Sequence, residues 1–347
     1  MFIKSALIGA IAFSGFLASA HPGPHAQPSL SELAVRSEKA QQCSNTVGEG
    51  KIKRHALRRR EMAKRDSNGE TTYEIHAQAP KYDFLKNGTT LLTPEVSEGP
   101  YWYPRSQTLR QDIAERQDGI PLVLDIALMD INTCEPLSGV LVDIWHCNAT
   151  GSYSSFTGLD PNESFGTVYK DKTGKKFSTS GGLPESKLEG LATDSETWLR
   201  GMWPTDKHGA TSFQTIFPGF YIERAIHIHV QVHTNWSVIL NGTISHGPIV
   251  STGQIFFAED LEEEIMALEP YASHTQISRL KNINDGIYTN ESYTGAMTVM
   301  DTEPLDGKSY KNGVLGYITL GVDTTSIKNG TNESPSPPVV SDPPTVE

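Results

Sequence analysis

The sequence predicts an all-β domain, a β-sandwich that follows a short N-terminal helical segment and precedes a disordered C-terminal tail. From residue 93 onward, short runs rich in Val, Ile and Leu alternate with turns rich in Gly, Pro, Asn and Asp. Few stretches with helical periodicity interrupt these runs, which is typical of two packed sheets. With 347 residues, the chain is long enough to bury a substantial hydrophobic core.

Apolar and β-branched residues dominate six runs, and we predict that each forms a strand. The strands are expected at residues 120–131, 140–145, 210–216, 226–233, 254–257 and 314–322. A short helix is predicted at residues 260–268. Upstream, helical spacing of apolar residues begins at Leu30, with Ser29 or Ser31 as its cap, and returns over residues 56–62.

The composition divides the chain into four segments. Residues 1–20 have the basic start, apolar centre and small-residue end of a secretory signal peptide. Residues 21–80 form a polar helical and linker segment, and residues 81–323 form the predicted sandwich domain. Residues 324–347 are rich in Ser, Thr and Pro, so we expect a disordered tail there.

Glycosylation motifs agree with a signal peptide. Eight Asn-x-Ser/Thr sequons occur, at Asn87, Asn148, Asn162, Asn235, Asn241, Asn290, Asn329 and Asn332. Together with residues 1–20 they predict a secreted, extracellular glycoprotein. Which sequons are occupied is open at this stage.

Three cysteines predict one disulfide and one odd thiol. Cys134 lies in a predicted turn before a strand and Cys147 at the end of that strand, so we favour the pair Cys134–Cys147, with Cys43 free. The pairings through Cys43 and an intermolecular bridge remain alternatives.

The formal net charge of −12 disfavours nucleic acid as a partner. No run beyond the signal peptide approaches eighteen apolar residues, so no membrane association is expected. One local basic run, residues 51–65, breaks the acidic trend; it is either a solvated helical face or a polyanion-binding segment. The pair Lys64-Arg65 could also be cleaved as a dibasic processing site.

Two histidines and two tyrosines form a candidate metal site. His227 and His229 alternate with apolar residues, which places both imidazoles on the same face of a strand. Tyr221 lies six residues before them, and Tyr153 follows a Gly turn. Two nitrogens and two phenolate oxygens suit Fe(III). A zinc hydrolase is disfavoured because no carboxylate or cysteine accompanies the histidines, and His146 is rejected as a ligand because alternation places it on the opposite face from Trp145.

Four blocks of sequence carry a resemblance to a known family. They are residues 93–102, residues 142–153, residues 199–229, where residue types, order and spacing all agree, and more weakly residues 252–257. The chain resembles the intradiol ring-cleavage dioxygenases, in particular a secreted fungal branch whose members act on catechol, protocatechuate or hydroxyquinol-type aromatics.

The resemblance implies that Tyr153, Tyr221, His227 and His229 bind a non-haem Fe(III) at the edge of a β-sandwich. It implies an enzyme that uses O2 to cleave a catecholic ring between its two hydroxylated carbons, which gives a muconate-type diacid. Tyr221 would be displaced when the substrate binds, and Arg224 would act as the active-site arginine.

Two further implications are less direct. Gln254 corresponds to a glutamine near the substrate ring. The helical residues 28–65 could be the counterpart of a dimerisation segment, so a homodimer is a candidate assembly. The alternative to an enzyme is a non-catalytic extracellular protein that binds iron or catechol. Which catechol derivative would be the substrate is not readable from the sequence.

Overall fold

Two β-sheets pack face to face in the computed structural model, which confirms the predicted all-β sandwich. The described residues are 30–43, 91–92, 99–103, 108–176, 191–238, 244–245, 249–293 and 299–325. The predicted signal peptide, the pair Lys64-Arg65 and nearly all of the predicted tail lie outside these ranges. No helix in the described part of the chain is long and apolar enough to cross a membrane.

Eleven strands and four α-helices occur within the described ranges. The strands are β1 (Leu91–Leu92), β2 (Pro121–Asp130), β3 (Leu141–Trp145), β4 (Arg200–Pro204), β5 (Ala210–Ile216), β6 (His227–His233), β7 (Ser237–Val238), β8 (Ile244–Ser245), β9 (Ile249–Phe256), β10 (Asp301–Pro304) and β11 (Val314–Val322). The helices are α1 (Leu30–Gln42), α2 (Phe165–Thr173), α3 (Glu259–Met266) and α4 (Gly286–Tyr293).

The two main sheets differ in their strand directions. The first has the order β1-β11-β2-β5, and β10 adds to β11 outside this path. Within it, β11 runs parallel to β2, and β2 runs antiparallel to β5. The second sheet has the order β4-β3-β6-β9 and is antiparallel throughout. The short strands β7 and β8 pair only with each other in the described sheets.

Alternation along the strands builds the core between the sheets. In β2, every second residue from Leu122 to Leu128 is apolar and belongs to the main buried cluster. In β6, Ile228, Val230 and Val232 join the same cluster from the opposite sheet. Since neighbouring residues of a strand point to opposite faces, the other face of β6 carries its polar residues.

Several predicted elements match and others were missed. The strands expected at residues 210–216 and 314–322 coincide with β5 and β11. In contrast, β9 begins five residues earlier than predicted, because its first half contains Ser, Thr and Gly. Strand β4 was missed because it has no β-branched residue, and helices α2 and α4 were missed because they are short and contain Gly and Thr.

The favoured disulfide Cys134–Cys147 is wrong, since Cys134 bonds to Cys43. Cys43 directly follows α1 and is buried against Met129 and Ile131 beside Cys134. Cys147 lies beyond the far end of β3, where its buried thiol donates to the Gly219 carbonyl. Proximity in sequence was misleading because β3 carries Cys147 away from the turn that holds Cys134.

Peptide mapping tests this pairing. Digestion without reduction is expected to yield the Cys43 peptide linked to the Cys134 peptide. Burial raises the pKa of the Cys147 thiol to about 12, so this cysteine should be alkylated only after unfolding. Because the crosslink closes a segment with a sequence separation of 91, Cys134→Ser is expected to lower the free energy of unfolding by about 4 kcal/mol. A Cys134–Cys147 peptide would contradict the structure.

His146 connects the two sheets through the core. Its Nδ1 lies 2.8 Å from the Cys147 carbonyl and its Nε2 lies 2.8 Å from the Thr215 hydroxyl on β5. Because a carbonyl only accepts, Nδ1 carries the hydrogen and Nε2 accepts from Thr215. Burial, with a smaller contribution from the nearby Arg200, lowers the pKa of His146 to about 4.

A lowered histidine pKa makes stability depend on pH. The contribution from neutral His146 should be complete above its unfolded-state pKa of about 6.5 and should fall as the pH approaches its folded-state value. Between about pH 7.5 and about pH 5, this loss is expected to be about 2 kcal/mol. Urea unfolding at both pH values should show that the wild type loses about 2 kcal/mol more than the His146→Gln control, in which the other buried histidines still contribute. An equal pH dependence in both proteins would contradict a neutral, buried His146.

Candidate metal centre and active site

Strand β6 places two imidazoles together. His227 and His229 lie on the face of β6 that points away from the core, and both are buried. Their Nε2 atoms are 3.1 Å apart. The Nδ1 of His227 lies 2.7 Å from the Ala225 carbonyl, so Nδ1 carries the hydrogen and Nε2 has its lone pair available. The pair therefore presents nitrogen atoms to one common point.

Neighbouring strands fix the ring of His229. Trp145 of β3 is opposite His229 in the register, and its indole stacks on the imidazole at 4.8 Å with an angle of 2° between the rings. On the other side, Gln254 of β9 is the register partner of His229. The antiparallel pairing directs all three side chains to the same face of the sheet.

Two loops bring the tyrosines to this face. Tyr221 comes from the loop before β6, and its hydroxyl is 3.4 Å from Nε2 of His227. Tyr153 comes from the loop after β3, with its ring centre 5.6 Å from that of Tyr221 and 6.2 Å from that of His229. The buried Tyr153 hydroxyl makes no hydrogen bond of normal geometry within the described part of the chain.

Glycines allow the two tyrosine loops to touch. Gly151 has a φ of 87°, and a Cβ there would overlap the Phe220 carbonyl. Gly219 lies directly against the Ala149 carbonyl, so a side chain is excluded there as well. A larger residue at either position would force apart the loops that carry Tyr153 and Tyr221.

Arg200 holds the loop that carries Tyr153 through hydrogen bonds to Ser154. Its Nε donates to the Ser154 hydroxyl and its Nη2 to the Ser154 carbonyl, both at 2.8 Å. The Ser154 hydroxyl in turn donates to the Trp198 carbonyl. Burial lowers the pKa of Arg200 to about 10, which leaves the guanidinium charged at neutral pH.

Aromatic side chains cover the four predicted ligands. Tyr101 stacks on Tyr153 at 4.6 Å and meets Tyr221 edge to face at 5.8 Å. The ring of Phe156 packs against Tyr101 as well. These residues belong to a second buried cluster, separate from the core between the sheets. The cover keeps water away from the polar face of β6.

Arg224 lies in a buried polar network beside the histidines. Its Nε donates to Oδ2 of Asp285 at 2.7 Å, and its Nη2 donates to the side-chain oxygen of Gln254. Burial opposes the charge of Arg224, but the adjacent carboxylate of Asp285 raises its pKa above the ordinary value. The Nε2 of Gln254 has no hydrogen-bond partner among the described residues.

The pKa values of the tyrosines and of His229 are consistent with a site that binds a metal cation. Burial raises the pKa of Tyr153 and of Tyr221 far above the ordinary value for a phenol. Burial and the nearby His227 hold the pKa of His229 well below its ordinary value, so this imidazole is neutral. Buried phenols become phenolates when a metal cation lies beside them.

The donor set and its spacing also fit a metal. Two nitrogens that bind one ion in adjacent positions at about 2.1 Å each lie about 3 Å apart, close to the separation seen between His227 and His229. Among the described residues, no three His, Cys, Asp or Glu side chains form a group that could hold a metal. The cluster instead combines two imidazoles with two phenols, a set suited to an oxophilic trivalent ion.

The structure therefore brings together all six residues predicted for the site: Tyr153, Tyr221, Arg224, His227, His229 and Gln254. Their predicted location needs one correction, because the cluster lies on the outer face of a sheet and β6 is an inner strand between β3 and β9. Reasoning from the sequence assigned no role to Asp285, Tyr101 or Arg200. Tyr101 lies within a block that carried the resemblance, whereas Asp285 had no signal besides an Asn-Asp-Gly turn.

Comparisons with known proteins agree with this fold. No protein-family model and no curated protein sequence matches the chain. Among solved structures, an intradiol ring-cleavage dioxygenase from Tetranychus urticae is 28% identical, with 69% of this chain and 98% of that chain covered and a TM-score of 0.52. A second dioxygenase structure has the same identity and coverage, with a TM-score of 0.51. This chain thus resembles the intradiol ring-cleavage dioxygenases in its fold as well as in its sequence motifs.

Proposed function

We propose that the protein is a secreted non-haem Fe(III) dioxygenase that cleaves catechol-type rings between the two hydroxylated carbons. The observation that carries the proposal is the convergence of Tyr153, Tyr221, His227 and His229 on one buried point. A charged arginine, Arg224, lies in the same polar pocket. The likeness to ring-cleaving dioxygenases supports an oxygenase of this class.

Fe(III) is the ion we propose for this point. A ferric ion bound there would supply Lewis acidity and one-electron redox chemistry to a catecholate. The hydrogen on Nδ1 of His227 leaves its Nε2 ready to donate an electron pair, and the neutral His229 can adopt the same tautomer. Phenolate oxygens from Tyr153 and Tyr221 would add two negative charges, which favour the ferric over the ferrous state.

Proton transfer is assigned to Tyr221. A catechol must lose two protons to bind as a dianion. As the family resemblance implies, the Tyr221 oxygen would accept one of them and a hydroxide ion held at the site would accept the other. Its buried position raises the pKa of this phenol, so the Tyr221 oxygen would readily hold that proton. Tyr153, which stacks on Tyr101, would be the tyrosine that holds the metal throughout.

Charge stabilisation is assigned to Arg224 and Gln254. Negative charge that develops on the ring oxygens during cleavage would be stabilised by the guanidinium, whose planar fork presents several N–H groups at once. The side-chain N–H of Gln254, which is buried beside His229, can donate to a substrate oxygen. The cover of aromatic residues excludes water and strengthens both interactions.

The overall reaction balances without an outside reductant. One carbon–carbon bond of the ring breaks, both atoms of O2 enter the product, and catechol plus O2 has the same composition as the muconate-type diacid. The substrate supplies all the electrons that O2 takes up. A nicotinamide or flavin cofactor is therefore not part of the proposal.

The proposed location is extracellular, as in a secreted fungal branch. Support comes from the signal-like residues 1–20, from the eight sequons and from a disulfide, which persists in oxidising compartments. Asn235 carries one of the sequons in an exposed turn after β6. Membrane and nucleic acid are not among the proposed partners, and a homodimer remains a prediction.

Ring cleavage is tested on purified, iron-loaded protein. With catechol and labelled O2, the expected product is a muconate-type diacid that contains both labelled oxygens. In a separate measurement, the protein without substrate should show a tyrosinate-to-Fe(III) absorption band, and this band should move to longer wavelength when catechol is added anaerobically. Tyr221→Phe and His229→Gln are each expected to lower kcat/KM by more than about 100-fold, because each removes a donor atom.

Tyr169→Phe is the matched control. Tyr169 belongs to the same aromatic cluster but lies outside the four predicted ligands, so this variant should keep its colour and its activity. A protein that binds iron and catechol but consumes no O2 would contradict the enzyme and would support a non-catalytic binding protein. Iron bound without the tyrosinate band would contradict the ligand set.

A further inference from the structure

Asp285 joins three separate segments at the edge of the candidate site. It lies just before α4, far along the chain from Arg224, and its side chain is fully buried. Its Oδ2 accepts from Nε of Arg224 at 2.7 Å and from the Ala225 backbone N–H at 2.9 Å. Its Oδ1 accepts from the backbone N–H groups of Ile287 and Tyr288 at 2.8 and 3.2 Å.

The contacts with Ile287 and Tyr288 make Asp285 the N-cap of α4. A carboxylate that accepts from these first-turn N–H groups satisfies donors that have no partner within the helix. The negative charge also lies at the positive end of the helix dipole. These bonds fix the carboxylate in place, independently of Arg224.

A fixed carboxylate determines where the Arg224 guanidinium can lie. Asp285 holds the Nε side of the guanidinium, and the Gln254 side-chain oxygen accepts from Nη2. With one partner on α4 and the other on β9, the plane of the guanidinium is set from two independent elements. The Ala225 N–H bond to Asp285 also ties down the backbone immediately before the histidine strand.

Stability alone does not account well for this arrangement. Arg224 and Asp285 form an ion pair in which both side chains are buried. The desolvation of two charges commonly cancels the gain from pairing, so apolar residues would serve folding as well. Although burial opposes ionisation, Arg224 lowers the pKa of Asp285 below its ordinary value, so the carboxylate is charged at neutral pH. The ion pair holds the positive charge of Arg224 in one orientation beside the point on which the four predicted ligands converge.

We propose that Asp285 is a positioning residue that orients the Arg224 guanidinium toward the negative charge developing on the ring-cleavage substrate. Asp285 does not touch the substrate in this proposal; it acts through Arg224. The inference rests on the proposed function, because it assigns Asp285 to the same reaction. It also makes α4 part of the active-site framework, since the same carboxylate caps this helix.

A double-mutant cycle tests the proposal. Asp285→Asn keeps an oxygen that can cap α4 but turns an amide N–H toward the Arg224 guanidinium and the Ala225 N–H, which both only donate; the Arg224→Gln background separates these two losses. It is expected to lower kcat for catechol by about 30-fold with little change in KM, because the misplaced charge is needed most in the transition state. In an Arg224→Gln background, the same change should lower kcat by less than about 3-fold.

Asp306→Asn is the matched control for loss of a backbone-capping carboxylate. Asp306 accepts from the backbone N–H groups of Lys308 and Ser309 at 2.8 and 2.9 Å, in the turn between β10 and β11. It lies outside the candidate site, so kcat should stay within about 2-fold of the wild type. Thermal unfolding of all variants separates a loss of folding from a loss of turnover.

Three results would count against the positioning role. Equal losses in kcat from Asp285→Asn in both backgrounds would show a structural role that does not pass through Arg224, and unchanged kcat would overturn the inference directly. If Arg224→Gln leaves too little steady-state turnover, the rate of ring cleavage in a single turnover is compared across the same four proteins, and equal losses in both backgrounds would again overturn it. A wild type that binds iron but cleaves no catechol contradicts the proposed function itself, and the role of Asp285 fails with it.

Discussion

The alternation of side chains along β6 is the constraint on which the rest of the site depends. Its apolar residues Ile228, Val230 and Val232 must face the opposite sheet to complete the core. His227 and His229 are therefore forced onto the outer face, where their Nε2 atoms meet. A shift of one residue in the pairing of β6 would turn the histidines into the core. Burial of the apolar residues therefore sets the strand register, and the register sets where the histidines lie.

An outer face that carries buried polar groups needs a cover, and loops provide it. The segments that contain Tyr101, Tyr153 and Tyr221 close over β6, and the glycines at positions 151 and 219 allow two of them to touch. The sheet supplies rigid positions and the loops supply chemical variety, the usual division in β proteins with a binding site. Among the described residues, the Tyr153 hydroxyl and the side-chain N–H group of Gln254 are buried under this cover without a hydrogen-bond partner of normal geometry. Violations of hydrogen-bond satisfaction are expected where a ligand completes the site.

Two buried arginines near the candidate site are each held in a fixed orientation. The chain has a formal net charge of −12, yet Arg200 and Arg224 are buried near the candidate site. One binds Ser154 and so supports a tyrosine loop, while the other is paired with Asp285. Each guanidinium is anchored by bonds to a different element, which keeps its orientation fixed in a region of low dielectric constant.

The sequence by itself determined the sandwich class and most strand positions, because these depend on local alternation. It also indicated the six residues of the candidate site, four through alternation and motif spacing and two, Arg224 and Gln254, through the family resemblance. Tertiary structure alone decided that Cys43 pairs with Cys134, that the site lies on an outer sheet face, and that Asp285 binds Arg224. These partners are far apart in sequence and meet only through sheet order and chain reversal. No local sequence pattern predicts these long-range contacts, because the free energy that selects them comes from packing the whole core.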